Sequence, residues 1–123
     1  MKVGWVSAGL RDLCCSHRGL DCLGPRHAGE ARTLLQAVSA ASHLADLEAL
    51  RALAVHVAPA PSFHLANTVA IQHEEITLMS TPWAYGRSLG LGPMPSPADL
   101  ARVEALRLDG LRVAGVDALR LVG

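Results

Sequence analysis

Five residues near the N-terminus, Cys14, Cys15, His17, Cys22 and His27, have side chains that ligate zinc as thiolate and imidazole. Their spacing matches no zinc knuckle, because two cysteines are adjacent and the rest follow at irregular intervals. Three cysteines also cannot all pair within one chain. Ordinary free thiols in a reducing compartment are therefore expected, with no metal and no cofactor. Three further histidines, His56, His64 and His73, could move protons near neutral pH. The run His73-Glu74-Glu75 lacks the second histidine of a helical HExxH site, so a solvated turn is expected there. Ser39, Ser42 and Ser80 sit in no nucleophile motif, and no Gly-rich phosphate loop is present. Trp83 and Tyr85, close to Arg87, could stack on a base or a partner, with packing against a neighbouring hairpin the preferred reading.

These groups need a scaffold, and the composition bounds it. The chain has 123 residues and 50% are apolar, enough for one modest core. Only Trp5, Phe63, Trp83 and Tyr85 are aromatic, so the core must come from Leu, Val and Ala and its stability should be marginal. The formal charge is +0, which argues against tight, phosphate-driven nucleic-acid binding. No segment reaches the roughly 18 to 20 apolar residues of a membrane span. Gly4, Ser7, Arg11 and Asp12 also interrupt any signal-peptide pattern, so a cytoplasmic chain with no membrane partner is expected.

Lys2 to Val6 reads as a short strand and Leu10 to Cys15 as a helical face, followed by a loop from Ser16 to Gly24. Pro25 opens the clearest helix, with Ala28, Ala31, Leu34, Leu35, Val38 and Ala41 at three- and four-residue steps. Ser42 is expected to cap a further helical segment through Leu44, Leu47, Leu50 and Leu53, with extended chain at Ala54 to Val57. Val69 and Ile71, then Ile76 and Leu78, alternate as an antiparallel hairpin does. Residues 81–97 hold four of the seven prolines and predict an irregular connection. Ser96-Pro97-Ala98-Asp99 then starts a helix whose Leu100, Val103 and Leu106 face inward until Gly110, followed by a strand or a fraying tail. The segment ARVEALRLDG, 101–110, is echoed by AGVDALRLVG, 114–123. The expected fold is α+β, with a short N-terminal strand, two helices on a small antiparallel sheet over residues 1–80, a Pro/Gly-rich connection over 81–97 and a C-terminal helical extension over 98–123.

The stretch from Val3 to Ser80 resembles the RelE/HigB-type toxins of bacterial toxin–antitoxin modules. The likeness rests on Gly9-Leu10 after the first strand, then Pro25, His27, Ala28, Arg32, Leu35, Ala37, Ala40, Ala41, Asp46 and Leu47. An aromatic-Arg-x-His segment of the family falls on Leu53, Ala54, Val55 and His56, and its terminal strand on His73 to Leu78. The resemblance implies a ribosome-dependent mRNA endoribonuclease, an mRNA interferase, with His56 as its catalytic residue. It also implies a cognate antitoxin and, for an active copy, ribosome-bound mRNA as partners. Family members use basic side chains to orient the ribose and to stabilise the charged transition state. Here those positions hold Ala54 and Glu75, and the W-S pair before the third strand is Ala66-Asn67. The expectation is a diverged toxin-like component with weak or no cleavage activity. The alternative is a non-enzymatic interaction module that docks through its C-terminal Leu/Val-rich segment.

Overall fold

A computed structural model describes residues 1–60 and 66–122, apart from the side chains of His17 and Val122, so His64 and Phe63 lie outside the described residues. Strand β1 (Lys2–Trp5) leads into α1 (Ala8–Cys15), where the Ser7 hydroxyl accepts from the Leu10 N–H. The expected loop after it contains a second helix, α2 (His17–Asp21), capped by the Ser16 hydroxyl accepting from the Gly19 N–H. Gly19 is required by close approach: a Cβ there would lie 2.3 Å from the Leu13 carbonyl oxygen. Helix α3 (Pro25–Ala40) begins at its proline as expected and buries Ala28, Ala31, Leu34 and Val38.

Helix α4 (Leu44–Glu48) is shorter than its leucine spacing predicts, and Ser42 does not cap it. The Asp46 carboxylate instead reaches back to accept from the Ser42 and His43 N–H groups, which holds that carboxyl below its ordinary range. Leu44 and Leu47 are buried while Leu50 is exposed, because the helix ends before Leu50 can turn inward. The chain then forms β2 (Ala54–Ala58), β3 (Thr68–His73) and β4 (Ile76–Ala84), an antiparallel meander whose hairpin buries Val69, Ile71, Ile76 and Leu78.

Residues 81–97 are less irregular than their prolines suggest. β4 continues to Ala84 and turns through Tyr85-Gly86, both at positive φ, into β5 (Arg87–Ser88). Asn67 is buried and organises the loop that follows: its side chain accepts from the Leu91 N–H and donates to the Ala58 and Gly92 carbonyls.

The largest departure from expectation is at the C-terminus. Helix α5 (Pro97–Ala101) starts on Ser96 and Asp99 as predicted but stops after Ala101. The presumed helical extension is strand β6 (Ala105–Val113), followed by β7 (Val116–Asp117) and α6 (Ala118–Val122). Leu106 and Leu108, then Leu111 and Val113, form two alternating pairs on one face, brought back into phase by a bulge at Asp109-Gly110. That two-residue period outweighs the three-residue steps of Leu100, Val103 and Leu106.

The fold is α+β. Its sheet runs β1-β6-β4-β3-β2, with β1 parallel to β6 and the remaining pairs antiparallel. β6 therefore occupies an interior place, between the first strand and the meander. On one face Trp5, Leu108, Ser80, Val69 and Val57 make one row, and Leu111, Leu78, Ile71 and Val55 the next. Helix α3 packs against β3 and β4, and α1 against β1 and β6. Among the described residues no helix is long and apolar enough to cross a membrane.

Candidate functional site

Residues paired directly across neighbouring strands share a face. Opposite the helices, His56, Ala70, Met79 and Gly110 lie in one row. Ala54, Gln72, Thr77 and Arg112 make the next, and Gly4, Arg107 and Thr81 another. This outer face gathers His56 with two arginines from β6, which a helical reading of the C-terminus could not place. The signal was present in the alternation of Ala105 and Arg107 with Leu106 and Leu108.

His56 is exposed on β2, and none of its row neighbours is ionisable. With strands about 4.8 Å apart, three intervals put its Cα about 14 Å from that of Gly110. A general acid or base must come within about 3 Å of the proton it moves and is usually oriented by a partner group. No charged group from β3 or β4 stands next to His56 to serve as that partner. Ala54 lies two residues away on the same strand and face, its Cα about 7 Å from that of His56, and carries no charge.

Arg107 makes three contacts. Its Nε donates to Asp109 at 2.7 Å, a terminal nitrogen donates to the Thr81 hydroxyl at 3.4 Å, and the guanidinium lies 4.8 Å from the Trp83 ring centroid. The Thr81 hydroxyl in turn donates to Asp109 at 2.5 Å. The cluster ties β4 to the β6 bulge and pairs the arginine with a carboxylate. Arg112 is exposed on the same face.

A second polar cluster joins α3 to the β3–β4 tip. His27 Nε2 lies 2.8 Å from a Glu75 carboxylate oxygen, and Arg26 is 3.4 Å from the other. Arg26 also bonds Glu30 at 3.0 Å, and the Glu75 N–H donates to Glu30 at 3.4 Å. Glu75 is held below its ordinary carboxyl range, first by the His27 hydrogen bond and then by the Arg26 charge. His73 is not simply solvated either, since its Nδ1 lies 3.2 Å from the Ala52 carbonyl oxygen. The turn at 73–75 is as expected, with Glu74 at φ 54, but Glu75 works as a latch between layers.

The remaining candidates are dispersed. Cys14 is buried and its thiol is pushed up to about 12, chiefly by burial and then by Cys15, so it stays a neutral core group. Cys15 and Cys22 are exposed thiols. Among the described residues no three His, Cys, Asp or Glu side chains are grouped to hold a metal ion. Ser80 is buried and donates to the Val69 carbonyl, Ser39 lends its carbonyl to the N-terminal ammonium, and the Ser42 N–H is bound by Asp46. Trp83 packs in its hairpin under Arg107, whereas Tyr85 is fully exposed because the positive-φ turn position directs it outward. An open cleft of ≈ 900 Å³ lies at this end, lined by Lys2, Trp83, Tyr85, Arg102 and Glu104.

The fold and site together define a small α+β protein with helices on one sheet face and a histidine-bearing outer face. No family model matches the chain, and no curated protein or solved structure is significantly similar to it.

Proposed function

We propose that this chain is a diverged toxin-like component of a toxin–antitoxin module, with its mRNA-cleaving chemistry weak or lost and a cognate antitoxin-like protein as its remaining partner. The observation that carries the reading is the division of labour among the residues on which the resemblance rests. Those of the scaffold have structural employment: Pro25 opens α3, Ala28 and Leu47 are buried, Arg32 pairs with Asp21 at 2.6 Å, and Asp46 binds two N–H groups. The first strand and the helices follow in the order that the resemblance implies, whereas the terminal strand it would put on His73 to Leu78 falls on the turn between β3 and β4 and the start of β4. At the chemical positions the opposite holds. Ala54 offers no cation beside His56, and Glu75 is committed to His27 and Arg26. The two positions where the resemblance expects a basic side chain thus offer no cation to a phosphate transition state, while Arg112 is an exposed cation on the face of His56.

Controlled expression in growing bacteria tests the reading. Weak residual toxicity that His56→Ala removes would support it, as would harmless expression combined with tight binding to a small protein encoded in the adjacent reading frame. Harmless expression without such binding would refute it. The alternative of an interaction module keeps only part of its original basis, since Leu106, Leu108, Leu111 and Val113 are core residues of β6. What favours it is confined to Val116, Leu119 and Leu121, which are exposed.

A further inference from the structure

The toxin-like reading leaves the outer edge of β1 unused. β1 ends the sheet order, so this edge has no strand partner among the described residues. The Lys2 and Val6 N–H groups donate to the Glu104 and Leu108 carbonyls of the β6 side. Even-numbered residues therefore serve β6, and alternation along an extended strand turns the N–H and C=O groups of Val3 and Trp5 outward. Beside them an apolar groove of ≈ 520 Å³ opens, lined by Val3, Trp5, Leu35, Val38 and Leu108. β1 is only four residues long, yet it holds no proline, bulge or central charge of the kind that keeps sheet edges apart.

We propose that β1 of a second copy of this chain pairs antiparallel on this edge, about a two-fold axis through Gly4, so that one sheet runs through both copies. The proposal draws on the fold alone and is independent of the toxin-like reading. The occupant follows from the parity of the strand, because the edge is complementary to itself. A two-fold axis at Gly4 sets Val3 opposite Trp5 of the other copy, and these are the residues whose backbone groups point outward. Each such pair exchanges two N–H···O bonds, four in all, and every outward group of Val3 and Trp5 is satisfied.

The side chains agree with that register. Val3 and Trp5 share the helix-side face, so a small residue meets a large one at both places, and the second copy's pair stands along the groove where no further strand of the same chain does. On the opposite face Gly4 meets Gly4, and a Cβ built there touches nothing within 4 Å. Lys2 falls opposite Val6, which is 50% exposed. The two Lys2 residues lie at least about 13 Å apart along the strands, so no like charges face each other. The same patch is used on both copies, so the assembly closes at two.

Gly4 supplies the test, since directly opposed residues that exchange no hydrogen bonds have Cα atoms about 4.5 Å apart, within disulfide reach. In a Cys15→Ser/Cys22→Ser background, Gly4→Cys is oxidised and the products are weighed. The expected product is a disulfide-linked species of twice the 12.9 kDa chain. Ala54→Cys in the same background, exposed on β2 at the far side of the sheet, should form it at least about tenfold more slowly. Equal rates in the two variants would overturn the proposal, including the case in which the chain associates through another surface. Sedimentation equilibrium of the unmodified chain supplies the second readout. Val3→Pro removes an N–H that β6 does not use, which an edge strand tolerates, and self-association should weaken at least about tenfold. A strictly monomeric parent, or association unchanged in Val3→Pro, would overturn the proposal equally.

Discussion

Leu108 and Leu121 occupy the same place in the two ALRL copies, yet the structure gives them opposite energetic weights. Leu108 is fully buried in β6, between Trp5 on β1 and Ser80 on β4, whereas Leu121 is 52% exposed on α6. Truncating a buried leucine to alanine removes its transfer free energy and leaves a cavity, together about 2–5 kcal/mol. An interior strand flanked on both sides has little freedom to collapse, so Leu108→Ala should lose about 3 kcal/mol. A domain of this length has roughly 6–18 kcal/mol of total stability, so the variant should still fold. With a urea dependence near about 1.5 kcal/mol/M, its unfolding midpoint should fall by about 2 M. Leu121→Ala should move stability by less than about 0.5 kcal/mol. Equal losses in the two variants, or a larger loss at Leu121, would refute the assignment of 105–113 to the core sheet.

Thiol labelling of the native protein should modify Cys15 and Cys22 quickly and Cys14 only after unfolding, which mass spectrometry of the labelled peptides resolves. Gly19→Ala should destabilise by at least about 1 kcal/mol in thermal melts, because the added methyl meets the Leu13 backbone and no flexible side chain can yield. Acid stability depends on Glu75, Asp46 and Asp99, whose carboxyls all lie below their ordinary values of 4.5, 3.8 and 3.8. A depressed carboxyl contributes stability that is present above the unfolded pKa and is lost as pH falls through the folded one. Melting temperature should therefore drop as pH falls below about 4.5, and Glu75→Gln should flatten part of that slope. A Glu75→Gln profile parallel to the parent would remove the latch from the account.

Much of the helix layer was legible because its signals are local. Pro25 and the Ser96/Asp99 pair each act within one turn, and the Val69 to Leu78 hairpin shows its two-residue period directly. β6 was obscured by the bulge at Asp109-Gly110, which breaks the alternation in the middle of the strand. The repeat made this worse, since identical ALRL segments are strand in one copy and helix in the other. Their difference is set by tertiary context, with β1 and β4 pairing along the first copy, while the second follows β7 and packs on β6 and α1. The candidate face was hidden for the same reason, because Arg107 and Arg112 reach the side of His56 only once β6 is a strand. Glu75 as a latch is likewise a contact across 48 residues, which no local pattern announces.

The central claim is a scaffold retained with its phosphate-handling groups replaced, and primer extension on mRNA from translating ribosomes tests it most directly. The comparison is among the parent chain, His56→Ala and Ala54→Arg, the last placing a basic residue on the same face with its Cα about 7 Å from that of His56. The account predicts that the parent cuts little more than His56→Ala, and that Ala54→Arg gains cleavage which His56→Ala abolishes. Strong His56-dependent cleavage by the parent, unimproved by Ala54→Arg, would contradict it.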